Sequence, residues 1–221
     1  MKTLAFIFLF VITSCSSSAQ DASAELKQAE QQLSSGKSVT EILTNPSYMK
    51  LHSLTSFRDL IKRFAKQEKI TLVSSTEPGT HVTIKGNIAG KNSKPSGNVL
   101  VYVYHTDNKG WYSDTAPHVQ VMEGDRGHAR IFGYFKTNDD GSFEFHTIHP
   151  QGYPKSDLPQ HIHFEVFTSN GENLLVTELL FDDDARLAPV IRERFKNEGA
   201  VISKNTGSAN EQVYTYTVRL K

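Results

Sequence analysis

The sequence predicts an all-β fold, an antiparallel β-sandwich with a helical extension at its N-terminus. Three observations carry this. From residue 71 onward the apolar pattern has period two, in short runs separated by Gly and Pro, as strands buried on one face require. Before it, Ile42, Leu43, Leu51, Leu54, Phe57, Leu60, Ile61 and Phe64 recur at roughly helical spacing. Asp140-Gly141 and Asn170-Gly171 are hairpin signals, because a primed turn needs positive φ in its central residues.

The elements follow in order. Lys2 gives a positive start, and 4–12 is an unbroken apolar run, too short to span a bilayer as a mature helix. Small polar residues come next, the layout of an export signal. Ile12-Thr13-Ser14-Cys15 resembles a bacterial lipobox, which implies export, lipidation of Cys15 and attachment to a membrane of the cell envelope. The other reading is an ordinary signal peptide with an incidental cysteine. Cys15 is the only cysteine, so no intrachain disulfide can form.

Residues 16–38 are rich in Ser, Ala, Gln and Glu and read as a tether, helical over 24–33. Residues 40–69 read as helical, with Thr40 as the cap and Asn45-Pro46 breaking the run into a short and a longer helix. Strands are expected at 81–86, 99–104, 132–136, 142–146, 161–167, 174–181 and 213–220. A late helix is expected over 183–199, amphipathic through Leu187, Val190, Ile191 and Phe195. The expected divisions are 1–20 as signal segment, 21–75 as tether and helical extension, and 76–221 as the sandwich.

Lys+Arg and Asp+Glu both count 24. There is thus no basic surplus to draw nucleic acid and no acidic surplus to draw a cationic partner. The apolar share of 38% fits a soluble globular chain.

The chemistry concentrates at His161-Ile162-His163. On a strand, residues two apart share a face, so the two imidazoles project together while Ile162 and Phe164 point into a core. Two neutral imidazoles on one face can chelate a metal, although a His-x-His strand also occurs as two surface histidines. Upstream lie Gly110-Trp111-Tyr112, then Thr137 through Asp140-Gly141 to Phe143 and Phe145, then Thr147-Ile148 and Pro150, and then Gly152-Tyr153-Pro154.

In this order, across 82–183, the chain resembles the intradiol ring-cleavage dioxygenases, the catechol and protocatechuate dioxygenase family. That resemblance implies a non-haem Fe(III) held by Tyr112, Tyr153, His161 and His163, with the two tyrosines also serving catalysis. It implies a catechol-type substrate and O2, with cleavage between the two hydroxyl-bearing carbons to a muconate-type diacid. The ligand chemistry is coherent. A phenol is protonated at neutral pH, with a pKa near 10, and a bound cation favours the phenolate. Ferric iron is a hard acid that suits anionic oxygen. Zinc prefers Cys, His or carboxylate partners, and blue copper needs a cysteine.

His81, His105, His118, His128, His146 and His149 read as surface or supporting residues. Tyr104 falls where relatives often carry Trp and is expected to edge the pocket. Two departures stand out. Many relatives carry an Arg three residues before the first histidine, where this chain has Leu158. Lys155, Arg126 or Arg130 could supply that charge, and an Arg restored at 158 would raise turnover if it has room beside Pro159. Glu178 falls where relatives often have a substrate-side Gln, and a carboxylate there would repel a catecholate. These departures leave a binding module that keeps the metal without turnover as the rival reading. A metal-free interaction sandwich is a further alternative.

Overall fold

The structure is a computed structural model that describes residues 16–90, 93–113, 127–168 and 170–220. Cys15 and the segment before it lie outside these residues, as do His118 and Arg126. No described helix is long and apolar enough to cross a membrane.

The period-two runs form two sheets. One has the order β1-β5-β2-β9, from Ile70–Thr71, Ser142–Ile148, His81–Ala89 and Gln212–Arg219. The other has the order β4-β3-β6-β7-β8, from Ile131–Lys136, Leu100–His105, His161–Phe167, Asn173–Phe181 and Val201–Ser203. The central pairs β2/β5, β3/β4, β3/β6 and β6/β7 are antiparallel. Three pairings, β1/β5, β2/β9 and β7/β8, are parallel. Two of these use strands of two and three residues, too short to leave a periodic signal.

The sheets pack through alternate side chains. Phe143 and Phe145 of β5 meet Phe164 of β6 at centroid distances of 6.2 and 6.0 Å. Phe164 stacks on Tyr216 of β9 at 3.8 Å. Ile162, Phe164 and Val166 have no exposure at all, and each such side chain contributes about 1.5–3 kcal/mol of burial. The opposite face of β6 therefore carries His161, His163 and Glu165. The same face of β3 carries Tyr102 and Tyr104, and Tyr104 pairs with His163 across the strands.

Helices precede the strands and pack at the edges of the two sheets. They are α1 (Ser16–Ser34), α2 (Val39–Leu43), a 3-10 turn (Pro46–Leu51) and α3 (Thr55–Arg63). Asn45-Pro46 breaks the run as expected, and a second break falls at 52–54. The cap is Ser38 rather than Thr40. Its side chain accepts from the Glu41 N–H, and the Glu41 carboxylate accepts from the Ser38 N–H, a capping box that starts the helix two residues earlier. Phe57 of α3 is fully buried and packs edge-on to Phe132 of β4 at 6.4 Å. Buried residues of these helices belong to one continuous cluster with the sandwich core.

Two other expectations change. Asn138-Asp139-Asp140-Gly141 makes a tight turn, with the Gly141 N–H donating to Asn138 O, yet β4 and β5 lie in different sheets. Asn170-Gly171 does join a paired hairpin, β6/β7. In the first turn only Gly141 has positive φ, at 79°, so it is not the primed type, and in the second Gly171 takes φ 84°. The late helix, α4, is only Pro189–Asn197. The Asp184 carboxylate accepts from the Gln160 and Arg186 N–H groups, which holds 182–187 in turns before Pro189 starts the helix.

Candidate metal centre

Two loops and one strand build the site. The first loop leaves β3. The Asp107 side chain accepts from the N–H groups of Lys109 and Trp111 at 2.8 and 2.9 Å, and the Trp111 carbonyl accepts from the Asp107 N–H at 2.8 Å. Gly110 takes φ +81° at the tip. This curl turns Tyr112 back beneath the sheet face. Its main chain is then held by the Arg130 N–H donating to Tyr112 O at 2.6 Å.

The second loop, 149–160, carries Tyr153. It is stitched to the first by the Thr106 hydroxyl donating to Gln151 O at 2.6 Å and by the Gln151 N–H donating to Asp107 O at 3.0 Å. A Cβ at Gly110 would strike the carbonyl of Gly152, so the two loops touch through glycine. The strand, β6, supplies His161 and His163 on one face.

All four expected side chains converge. Tyr112 Oη lies 2.6 Å from Tyr153 Oη and 2.8 Å from His163 Nε2. Tyr153 Oη lies 3.0 Å from His161 Nε2 and 3.5 Å from His163 Nε2. The two Nε2 atoms are 3.0 Å apart. Tyr112, Tyr153 and His161 are buried, and the His163 side chain is 17% exposed. Tyr104 stacks on His163 at 4.5 Å and 15°, so it lies against the site as expected.

The ring tautomers follow from the other nitrogens. His161 Nδ1 is 2.7 Å from the Pro159 carbonyl, which can only accept, so Nδ1 carries the proton. His163 Nδ1 faces the Glu178 carboxylate at 3.4 Å, with the same consequence. Both Nε2 atoms then present bare lone pairs to each other and to two phenols. Five close contacts share at most the two phenol protons. At least three of them therefore set lone pair against lone pair. A cation in the middle makes all five favourable, with the phenol protons released as it binds. Atoms bound about 2 Å from one ion sit on the order of 3 Å from one another. The donor set therefore fits a metal, and two anionic oxygens suit a hard one.

Glu178, His161 and His163 also form the acidic-histidine group capable of holding an ion among the described residues. Glu178, however, lies on the Nδ1 side of His163, away from the tyrosines. It stands against the imidazole of His163, with its side chain 27% exposed.

Two of the three candidate cations lie among the described residues. Arg130 is committed to Glu77 at 2.6 and 3.0 Å. Lys155 is exposed and takes φ +61°. Leu158 packs against the main core and against the satellite cluster of Leu180, Leu187 and Phe195. Arg186 lies across the Cα of Gly152, and its Nη1 donates to Leu158 O at 3.4 Å. Nothing in the sequence singled out Arg186, because it sits outside every motif. Asp107 was equally missed, although Asp-Asn-Lys-Gly is a turn signal with a known mechanism. His105 is not a surface residue. It is fully buried, with Nδ1 2.7 Å from Thr106 O and Nε2 2.7 Å from the Thr147 hydroxyl.

The profile of the Dioxygenase_C family, described as dioxygenase, matches residues 59–221. Catechol 1,2-dioxygenase 1 of Acinetobacter lwoffii is 27% identical over 128 residues, 51% of this chain and 39% of that protein. The protocatechuate 3,4-dioxygenase beta chain of Burkholderia cepacia is 30% identical over 128 residues, 52% of this chain and 51% of its own. The chain thus spans about half the length, or less, of these curated relatives. Among solved structures, the dioxygenase domain of a dioxygenase–carbohydrate-binding protein fusion from Streptomyces sp. SirexAA-E superposes with TM-score 0.55 at 25% identity. The match covers 71% of this chain and 89% of that one. The 3-chlorocatechol 1,2-dioxygenase of Rhodococcus opacus 1CP shares the fold with TM-score 0.54 at 17% identity, over 93% of this chain and 89% of its own. Since the family match takes in every strand described, both loops and all four converging side chains, the chain belongs to the intradiol ring-cleavage dioxygenases.

Proposed function

We propose that the protein is an Fe(III)-dependent intradiol dioxygenase that opens a catechol-type ring with O2, and that Tyr112, Tyr153, His161 and His163 hold the iron. The observation that carries this reading is the set of five contacts with only two protons to fill them. When bound, ferric iron supplies a Lewis acid and a template for a catecholate. The chain does the rest. The Pro159 carbonyl and Glu178 hold both imidazoles with Nε2 inward. The Asp107 curl and the Gln151 stitching hold the phenols in place. Burial of Tyr112 and Tyr153 keeps water from competing for their oxygens. Two phenolates leave one positive charge on a ferric centre, which an anionic substrate would offset.

The missing arginine favours slow turnover. Leu158 is an apolar packing residue here, and Arg130 is already paired. An electrostatic stabiliser of developing charge is typically worth about 3–4 kcal/mol, on the order of a hundred- to a thousandfold in rate. The iron-loaded protein should be red to burgundy from phenolate-to-iron charge transfer, change colour with catechol and consume O2 slowly. Tyr153→Phe or His161→Ala should lose most of the iron. A colourless protein that takes up no iron sinks the proposal. A colour change with catechol but no O2 uptake leaves the metal-keeping binding module instead.

The same reading extends to location. The lipobox-like segment supports an envelope protein anchored through lipid at Cys15. Stable anchoring takes more than one acyl chain, at roughly 0.8 kcal/mol per buried methylene. Cys15→Ser should move the protein from the membrane to the soluble fraction of cells, and unchanged fractionation would remove the anchor from the proposal.

A further inference from the structure

Glu178 stands directly opposite His163 in the β6/β7 register. Its Oε1 lies 3.4 Å from His163 Nδ1, and its side chain is 27% exposed. The neighbouring β7 residues Thr177 and Leu179 are buried, so the alternation of the strand fixes which face Glu178 occupies. A glutamine here would present the same shape with no charge. This chain instead places a carboxylate against the outer nitrogen of one imidazole whose inner nitrogen meets both tyrosines.

We infer that Glu178 is a positioning residue that acts through His163: it fixes the ring tautomer with Nε2 inward and adds a third anionic charge beside the two phenolates, which strengthens the hold on a trivalent metal. This rests on the four-residue centre proposed above. A carboxylate behind a metal-bound histidine orients the ring and raises its basicity, and losing such a partner typically costs about 10- to 100-fold in metal affinity. Three anionic groups balance the charge of a ferric ion, whereas two leave it in excess. The carboxylate therefore favours the ferric over the ferrous state. Its contact is with Nδ1, the nitrogen on the other side of the ring from the one that meets the tyrosines. A metal held on the Nε2 side of His163 cannot also be bound by a group on the Nδ1 side of the same ring.

Glu178→Gln is the test, since it keeps an acceptor oxygen and removes only the charge. Metal-free wild type and variant are titrated with ferric nitrilotriacetate, following bound iron and the visible absorption band. The variant should bind iron about 10- to 100-fold more weakly. Its phenolate-to-iron band should move to longer wavelength, because a less well-supported ring leaves the metal a better electron acceptor. The reduction potential should rise for the same reason. Equal affinity and an unmoved band overturn the inference while leaving the iron centre standing. Complete loss of iron also overturns it, since Glu178 would then be a ligand. A wild type that takes no iron overturns the centre and this inference together.

Discussion

At the scale of single residues, position 158 shows how a sequence comparison and a packed structure diverge. From sequence, Leu158 is a missing charge three residues before a histidine. In the fold it is a packing residue between two apolar clusters, touching the group of Leu180, Leu187 and Phe195. A guanidinium placed there would give up these partly buried apolar contacts, at a cost of about 1–3 kcal/mol. Leu158→Arg is therefore expected to lower the urea midpoint and leave the rate of O2 uptake no higher than wild type. Urea unfolding at neutral pH and O2 consumption at saturating catechol check the two halves, and a faster, equally stable variant would refute the packing account. The four converging residues were legible in advance for a physical reason. Two histidines on one strand face follow from the period of a strand, and the tyrosines come with the family motif. The tautomers were not legible, because they depend on the Pro159 carbonyl and on Glu178, which is a neighbour only across the sheet.

At the scale of elements, long periodic segments were readable and short or non-local ones were not. The seven expected strands all form, within a few residues of the expected ends, because each buries one face and alternation records that. The strands Ile70–Thr71 and Val201–Ser203 are too short to alternate, and their parallel pairing with β5 and β7 is set by distant chain. The turn at Asp140-Gly141 looked like a hairpin because turn chemistry is local, while the choice of sheet is made by the core. The helical extension was readable as amphipathic, but its task was hidden. Arg58 of α3 donates to the Tyr102 hydroxyl at 2.6 Å and to the Ala129 carbonyl, and its guanidinium lies 4.1 Å over Phe132. His52 Nδ1 is 2.6 Å from the Arg130 carbonyl. Two side chains of the extension thus grip the main chain that holds Tyr112. Arg58→Met keeps much of the stem packing and strands the Ala129 carbonyl. It should cost about 1.5–3 kcal/mol, the range for hydrogen bonds to charged groups, and weaken iron retention as well. Urea midpoints and iron content of the purified variant measure both. A variant that loses stability but keeps its iron would show that the grip does not reach Tyr112.

At the scale of the whole molecule, these contacts make the protein sensitive to acid. Burial pushes the imidazole of His52 down to about 4, with the nearby Arg58 and Arg130 charges adding to the effect and the Arg130 carbonyl opposing it. Burial likewise pushes His105 down to about 4, against the hydrogen bond to the Thr106 carbonyl. Both rings are neutral in the fold at a pH where the unfolded chain, with histidine near 6.5, has already bound protons. The unfolded state then binds more protons between roughly pH 6.5 and pH 4. Stability is full above that window and falls as pH drops through it. Each buried ring contributes a slope of about 1.4 kcal/mol per pH unit, so the pair removes on the order of 5 kcal/mol over two units. That is comparable with the whole stability of an ordinary domain, about 5–15 kcal/mol. The two rings also flank the loop of Tyr112, His52 through the Arg130 carbonyl and His105 just before Asp107. Acid should therefore release the metal-binding face as it unfolds the chain. Urea unfolding of the metal-free protein at pH 7.5 and pH 5.0 isolates this from metal loss. Wild type should lose about 4 kcal/mol of stability between the two values, because pH 5.0 lies about 1.5 units below the unfolded histidine value. His52→Asn, destabilised at pH 7.5, should show about half the pH slope because one buried ring no longer titrates. A wild-type midpoint that does not move between pH 7.5 and pH 5.0 would mean that neither ring stays neutral in the fold.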